Sequence, residues 1–85
     1  MASTTVTVGS SVGLHARPAA LIAEAVAAAG VPVTLSLVDG DPVDAGSALM
    51  IMTLGAAAGD PVVVASEDDA VLAKIAEMVA SDLDA

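Results

Sequence analysis

No Phe, Tyr, Trp or Cys occurs anywhere in this 85-residue chain. That absence constrains the fold more than any other feature. A chain this short buries a single small core, and here the core has no aromatic plates, no disulfide staples and no thiolate ligands for a structural metal. It must be assembled from Val, Leu, Ile, Met and Ala, so many small side chains have to converge from several regular elements. The supply is ample: 56% of the residues are hydrophobic and 15% charged, too apolar for a disordered tail. One domain spanning residues 1–85 is expected.

The charged minority is lopsided. Eleven Asp and Glu stand against two basic residues, Arg17 and Lys74, for a formal net charge of -9. Nucleic-acid binding is excluded as a function class, because phosphate neutralisation needs clustered cations and base stacking needs aromatic rings. Anionic membrane surfaces are disfavoured for the same reason. A mean hydropathy of +0.87 invites a spanning reading. The longest uncharged candidate, Ala45 to Gly59, is interrupted by Ser47, Thr53 and glycines and falls short of the roughly 20 apolar residues a spanning helix needs. Met1 to Leu14 has no basic segment followed by an apolar block, so no secretory signal is read and a cytoplasmic location is expected.

Thr4 to Val8 alternates hydroxyl and β-branched residues, the period of a half-buried strand. Gly9 to Gly13 is a loop by composition, and Pro18 suits the first turn of a helix beginning near Ala16. Rows at i, i+4 spacing, Leu21/Ala25/Ala29 and Ile22/Val26, continue it to a stop at Gly30. Val31 to Val38 alternates again, with Val33, Leu35 and Leu37 on one face, and Asp39-Gly40 signals a two-residue hairpin into a short strand around Pro42 to Asp44. Ser47 is placed to cap a short helix from Ala48 to Thr53. Asp60 to Ala65 is the fourth strand. Ser66-Glu67-Asp68-Asp69 has the spacing of a capping box opening a last helix, with Leu72, Ile75, Ala76, Val79 and Leu83 on its apolar face. The order βαββαβα predicts an α+β open-faced sandwich: a four-stranded, mainly antiparallel sheet covered on one face by three helices.

The chemistry concentrates at the single histidine, His15, within Gly13-Leu14-His15-Ala16-Arg17-Pro18-Ala19-Ala20. Imidazole titrates near neutrality, so a nucleophilic fraction is present at pH 7. At a helix start, the first backbone N–H groups, those of Ala16 and Arg17, lack intrahelical partners and favour an anion. The Arg17 guanidinium adds a charge-assisted fork for phosphate or carboxylate. A lone His in this position is also commonly a plain surface or capping residue. Metal binding is not expected, because no second His or any Cys exists and Glu24 is the one carboxylate near in sequence. No cofactor motif is found.

The His15 motif, together with Ser47-Ala48-Leu49-Met50-Ile51-Met52-Thr53-Leu54-Gly55 further along, resembles the HPr family, the histidine phosphocarriers of the bacterial sugar phosphotransferase system. The resemblance covers essentially the whole chain, and the element order agrees with it. It implies a cytoplasmic carrier that accepts phosphate from phosphorylated enzyme I and passes it to enzyme II A domains, a covalent intermediary rather than an enzyme. It also implies phosphate on Nδ1 of His15 with Arg17 beside it, and a docking face formed by Ala16 and Ala20 of the first helix and Ala48, Leu49, Met52 and Thr53 of the second. On helical period, Ile51 and Leu54 are expected inside and Leu49 and Met52 outside. In some relatives the serine matching Ser47 is phosphorylated by an HPr kinase/phosphorylase, so Ser47 has a regulatory reading beside its capping one. Glu24, Ala27 and Gly46 depart from the family pattern, standing where better-known members often carry basic side chains, which weakens docking to acidic partners from distant bacteria. A monomer is expected of a carrier that docks serially. The competing class is an HPr-like regulatory module that binds a regulator or metabolic enzyme without carrying phosphate on histidine; a free-standing enzyme is weaker still.

Overall fold

The computed structural model describes residues 2–83. Its elements run β1 (Ala2–Thr7), α1 (Ala16–Ala29), β2 (Val33–Leu37), β3 (Val43–Asp44), α2 (Ala48–Thr53), β4 (Pro61–Ser66) and α3 (Asp69–Ala80). The strands form one sheet in the order β1-β4-β2-β3, and every neighbouring pair is antiparallel. The expected α+β open-faced sandwich is therefore what the chain adopts.

Period-two alternation explains which face is covered. The register aligns Val6, Val62 and Leu37 in one row and Val64 with Leu35 in the next. Val33, Leu35, Val62 and Val64 are fully buried under the helices. On the other face Thr5, Val63 and Ser36 align, as do Ser3, Ala65 and Thr34, with the hydroxyl and small side chains that an uncovered face tolerates. α3 lies against β1 and β4, α1 packs on both α2 and α3, and α2 approaches β3. The helices contribute Ala19, Ile22 and Val26 from α1, Ile51 from α2, and Leu72, Ile75, Ala76 and Val79 from α3. Core volume comes from many medium side chains, as the absence of aromatics requires.

Several local expectations are corrected. β1 starts at Ala2 because its partner β4 extends to Ser66, and it ends at Thr7 opposite Pro61, where β4 begins; Val8 follows the strand, its N–H donating to the Asp60 carbonyl at 2.9 Å, and stays in the core. The Asp39-Gly40 pair does not make a two-residue hairpin. Residues 38–42 connect the strands, with Asp39 at φ 65° and the Gly40 N–H donating to the Leu37 carbonyl at 2.9 Å. Pro42 has no N–H for the ladder, which moves pairing on to Val43 and Asp44. In α1 the buried stripe is Pro18, Ala19, Ile22 and Val26, whereas Leu21 and Ala25 are half-buried and Ala29 is exposed.

The last helix opens later than the capping-box reading predicts. Ser66 is the final, fully buried residue of β4, and its hydroxyl donates to the Pro32 carbonyl while accepting from the Asp68 N–H. Asp68 is the N-cap: its Oδ1 accepts from the Ala70 and Val71 N–H groups at 2.9 and 3.1 Å. α3 ends at Ala80, so Leu83 packs on the core from beyond the helix rather than within it. Among the described residues, no helix is long and apolar enough to cross a membrane.

Candidate functional site

The segment before α1 delivers His15 to the surface. Leu14 is buried at 4% exposure and its N–H donates to the Ala56 carbonyl at 3.0 Å, so the residue preceding the histidine is anchored in the core. His15 itself is exposed and extended, φ −97° and ψ −163°, the backbone of a helix N-cap. Its carbonyl accepts the Ala19 N–H at 2.9 Å, closing the first turn. Its side chain makes no capping hydrogen bond, and the first turn contains no acidic residue.

Pro18 has no N–H to satisfy, which leaves the amides of Ala16 and Arg17 as the unpaired first-turn donors. Both residues are exposed. The helix dipole adds roughly half a positive charge at this end, and the exposed guanidinium of Arg17 has no carboxylate partner among the described residues. An exposed imidazole, two open amides and a cation without a carboxylate partner among the described residues thus all belong to one helix start, in a chain whose net charge is -9.

The second predicted segment lies on α2, which packs beside α1. Ser47 caps it as expected, its Oγ accepting from the Met50 N–H at 3.3 Å. Leu49 is 69% exposed, and Thr53 is exposed with its hydroxyl turned back to the Met50 carbonyl. Ala16 and Ala20 are exposed on α1, while Ala48 is half-buried. Two burial expectations need correction. Ile51 is fully buried, but Leu54 is half-buried and Met52, expected outside, is half-buried against the core. Met50, not singled out from sequence, is 41% exposed in its place. A helix of six residues makes under two turns, so packing on α1 and β3, rather than period, sets which side faces in. Val12, exposed in the loop before His15, was likewise missed.

The family model describing the PTS HPr component phosphorylation site matches residues 2–81. The chain belongs to the HPr family. An HPr phosphocarrier protein from Streptomyces coelicolor is 45% identical over 87 aligned residues, which cover 99% of this chain and 94% of that one. Among solved structures, an HPr phosphocarrier from Bacillus anthracis superposes with a TM-score of 0.84 at 28% identity, covering 92% of this chain and 95% of the other. An HPr-C-His structure from Thermoanaerobacter tengcongensis gives a TM-score of 0.77 at 29% identity, covering 94% and 96%. Within the HPr family, then, the chain is a phosphocarrier of the phosphotransferase system whose sandwich places the histidine-bearing helix start on open surface.

Proposed function

We propose that His15 is the phosphoryl-carrying residue, accepting the group from phosphorylated enzyme I and passing it to enzyme II A domains in support of sugar uptake. The observation that carries this reading is the open start of α1: an exposed N-cap imidazole that spends no hydrogen bond on its own helix. Nδ1 of neutral His15 attacks phosphorus in line; the phosphorus–nitrogen bond to the donor histidine breaks as the new one forms, and the donor nitrogen recovers its electron pair. Transfer between like bonds conserves free energy and runs in both directions. Positioning and electrostatics then do most of the work. On this chain they come from the Ala16 and Arg17 amides and the Arg17 guanidinium.

The docking face extends from His15 across Ala16 and Ala20 to Ala48, Leu49, Met52 and Thr53, with Leu49 69% exposed and half-buried Met52 contributing an edge. A small apolar surface of this kind suits brief serial encounters. Ser47 is a second modification candidate for an HPr kinase/phosphorylase. Added phosphate there would place about two negative charges beside the docking helix of an already acidic protein and oppose an acidic partner. The carrier acts as a cytoplasmic monomer formed by a single domain.

The test uses enzyme I and phosphoenolpyruvate. An acid-labile, alkali-stable phosphoryl adduct should form on the wild type and be absent from His15→Ala. A wild-type protein that stays unmodified would overturn the reading. For Ser47, incubation with an HPr kinase/phosphorylase and ATP should yield an acid-stable adduct lost in Ser47→Ala, and no adduct on the wild type removes that role.

A further inference from the structure

The loop that carries the chain from β1 to His15 is fastened at both ends to distant backbone. At its start the Gly9 N–H donates to the Val79 carbonyl at 3.0 Å, so close to the end of α3 that any Cβ on Gly9 would collide with the Ala80 carbonyl. At its end Gly13 sits at φ 75°, its N–H donates to the Ser10 carbonyl at 3.0 Å, and the Leu14 N–H reaches the Ala56 carbonyl. A Cβ on Gly13 would lie 2.5 Å from that same Ala56 oxygen and 3.0 Å from the Ala57 Cα. Leu14 and Ala56 are both buried, so neither partner has room to retreat.

We propose that Gly13 and the Ala56 carbonyl are positioning groups for His15. The carbonyl fixes the residue immediately before the histidine, and only glycine at position 13 lets it approach. The segment just beyond α2 thereby sets where the N-cap imidazole stands relative to the Ala16 and Arg17 amides. The consequence for transfer rests on the phosphocarrier role of His15, whereas the seating is a property of the fold. In-line transfer is sensitive to such seating, since a misplacement of about 1 Å costs on the order of 10²-fold in rate.

The fold contains its own control. Gly30, the C-cap of α1, has nearly the same left-handed backbone, φ 73°, but a Cβ there meets nothing within 4 Å. Gly30→Ala therefore imposes the same conformational strain as Gly13→Ala without displacing a carbonyl. Both variants and the wild type are compared at a temperature where circular dichroism shows all three folded. The readouts are the imidazole and 15–17 amide resonances by NMR, and kcat and KM for phosphoryl uptake from enzyme I with phosphoenolpyruvate.

Gly13→Ala should move the His15 resonances and lower kcat roughly 10- to 100-fold with KM little changed, while Gly30→Ala matches the wild type in both. Wild-type resonances and kcat in Gly13→Ala, or equal impairment in Gly30→Ala, would overturn the proposal. If Gly13→Ala does not fold, replacing the Leu14 amide N–H by an ester oxygen through chemical synthesis removes the hydrogen bond and keeps every side chain. That variant must show the same shifts and the same fall in kcat, and unchanged values reject the inference. Absence of uptake by the wild type would instead defeat the carrier reading, leaving the resonances to decide the seating.

Discussion

The starts of α1 and α3 solve the same problem in opposite ways. Asp68 closes the start of α3 with a carboxylate that accepts from the Ala70 and Val71 amides, and Asp69 follows where the dipole favours negative charge. His15 occupies the equivalent position on α1 and caps nothing, and no acid follows it in the first turn. Even six-residue α2 has a serine cap. A chain with eleven carboxylates thus withholds one from the single helix start that adjoins its only histidine. Under the proposed carrier role, the anion missing from the start of α1 is the phosphoryl group that His15 would receive, and the stability available from a cap is left unused at that one start.

Substitutions that exchange these two solutions test the comparison. The largest effect is expected from His15→Asp, which gives α1 a start like that of α3. The phosphoryl adduct should be lost entirely, while urea denaturation shows a gain of about 0.5–2 kcal/mol from the new cap; a less stable variant would mean that the start of α1 is not short of an acceptor. Next, Arg17→Ala removes the cation at the open end and should slow phosphoryl uptake roughly 10- to 100-fold, the worth of one charge-assisted hydrogen bond, as read by quenched-flow kinetics. Unchanged rates would assign anion holding to the amides alone.

At the closed end, Asp68→Ala should cost about 1 kcal/mol in urea denaturation and leave the uptake rate at the wild-type value. A fall in uptake would show that the two helix ends are coupled. The smallest effect concerns Ser10, whose hydroxyl is buried without a hydrogen-bond partner among the described residues in the loop leading to α1. Ser10→Ala should leave stability unchanged or raise it by less than about 1 kcal/mol. A clear loss would show that the hydroxyl does have a partner, such as an internal water.

Local reading recovered α1 well because its signals are local: a loop ending at Gly13, Pro18 in the first turn and the Gly30 stop all lie within the segment they describe. The same holds for Ser47 on α2. It failed at Ser66, where the spacing of a capping box was present but the serine was already committed to β4 and to the Pro32 carbonyl across the sheet. It failed at Met52 and Leu54 because a helix shorter than two turns takes its orientation from neighbours rather than from period. On the helix surface this leaves Leu49 exposed and draws Met52 partly inward.

Residue types alone establish that the core is aliphatic, that four strands interleave with three helical stretches, and that histidine and arginine coincide at a helix start. Each of these depends on residues a few positions apart. That no side chain caps this start, and how it is held, are properties of the fold. The acceptor for the Leu14 amide is a backbone carbonyl at Ala56, far along the chain, and a backbone atom leaves no mark in residue type. Glycine at position 13 is the one trace the contact leaves, and as a letter it looks like any other loop glycine until the carbonyl that excludes a side chain is seen beside it.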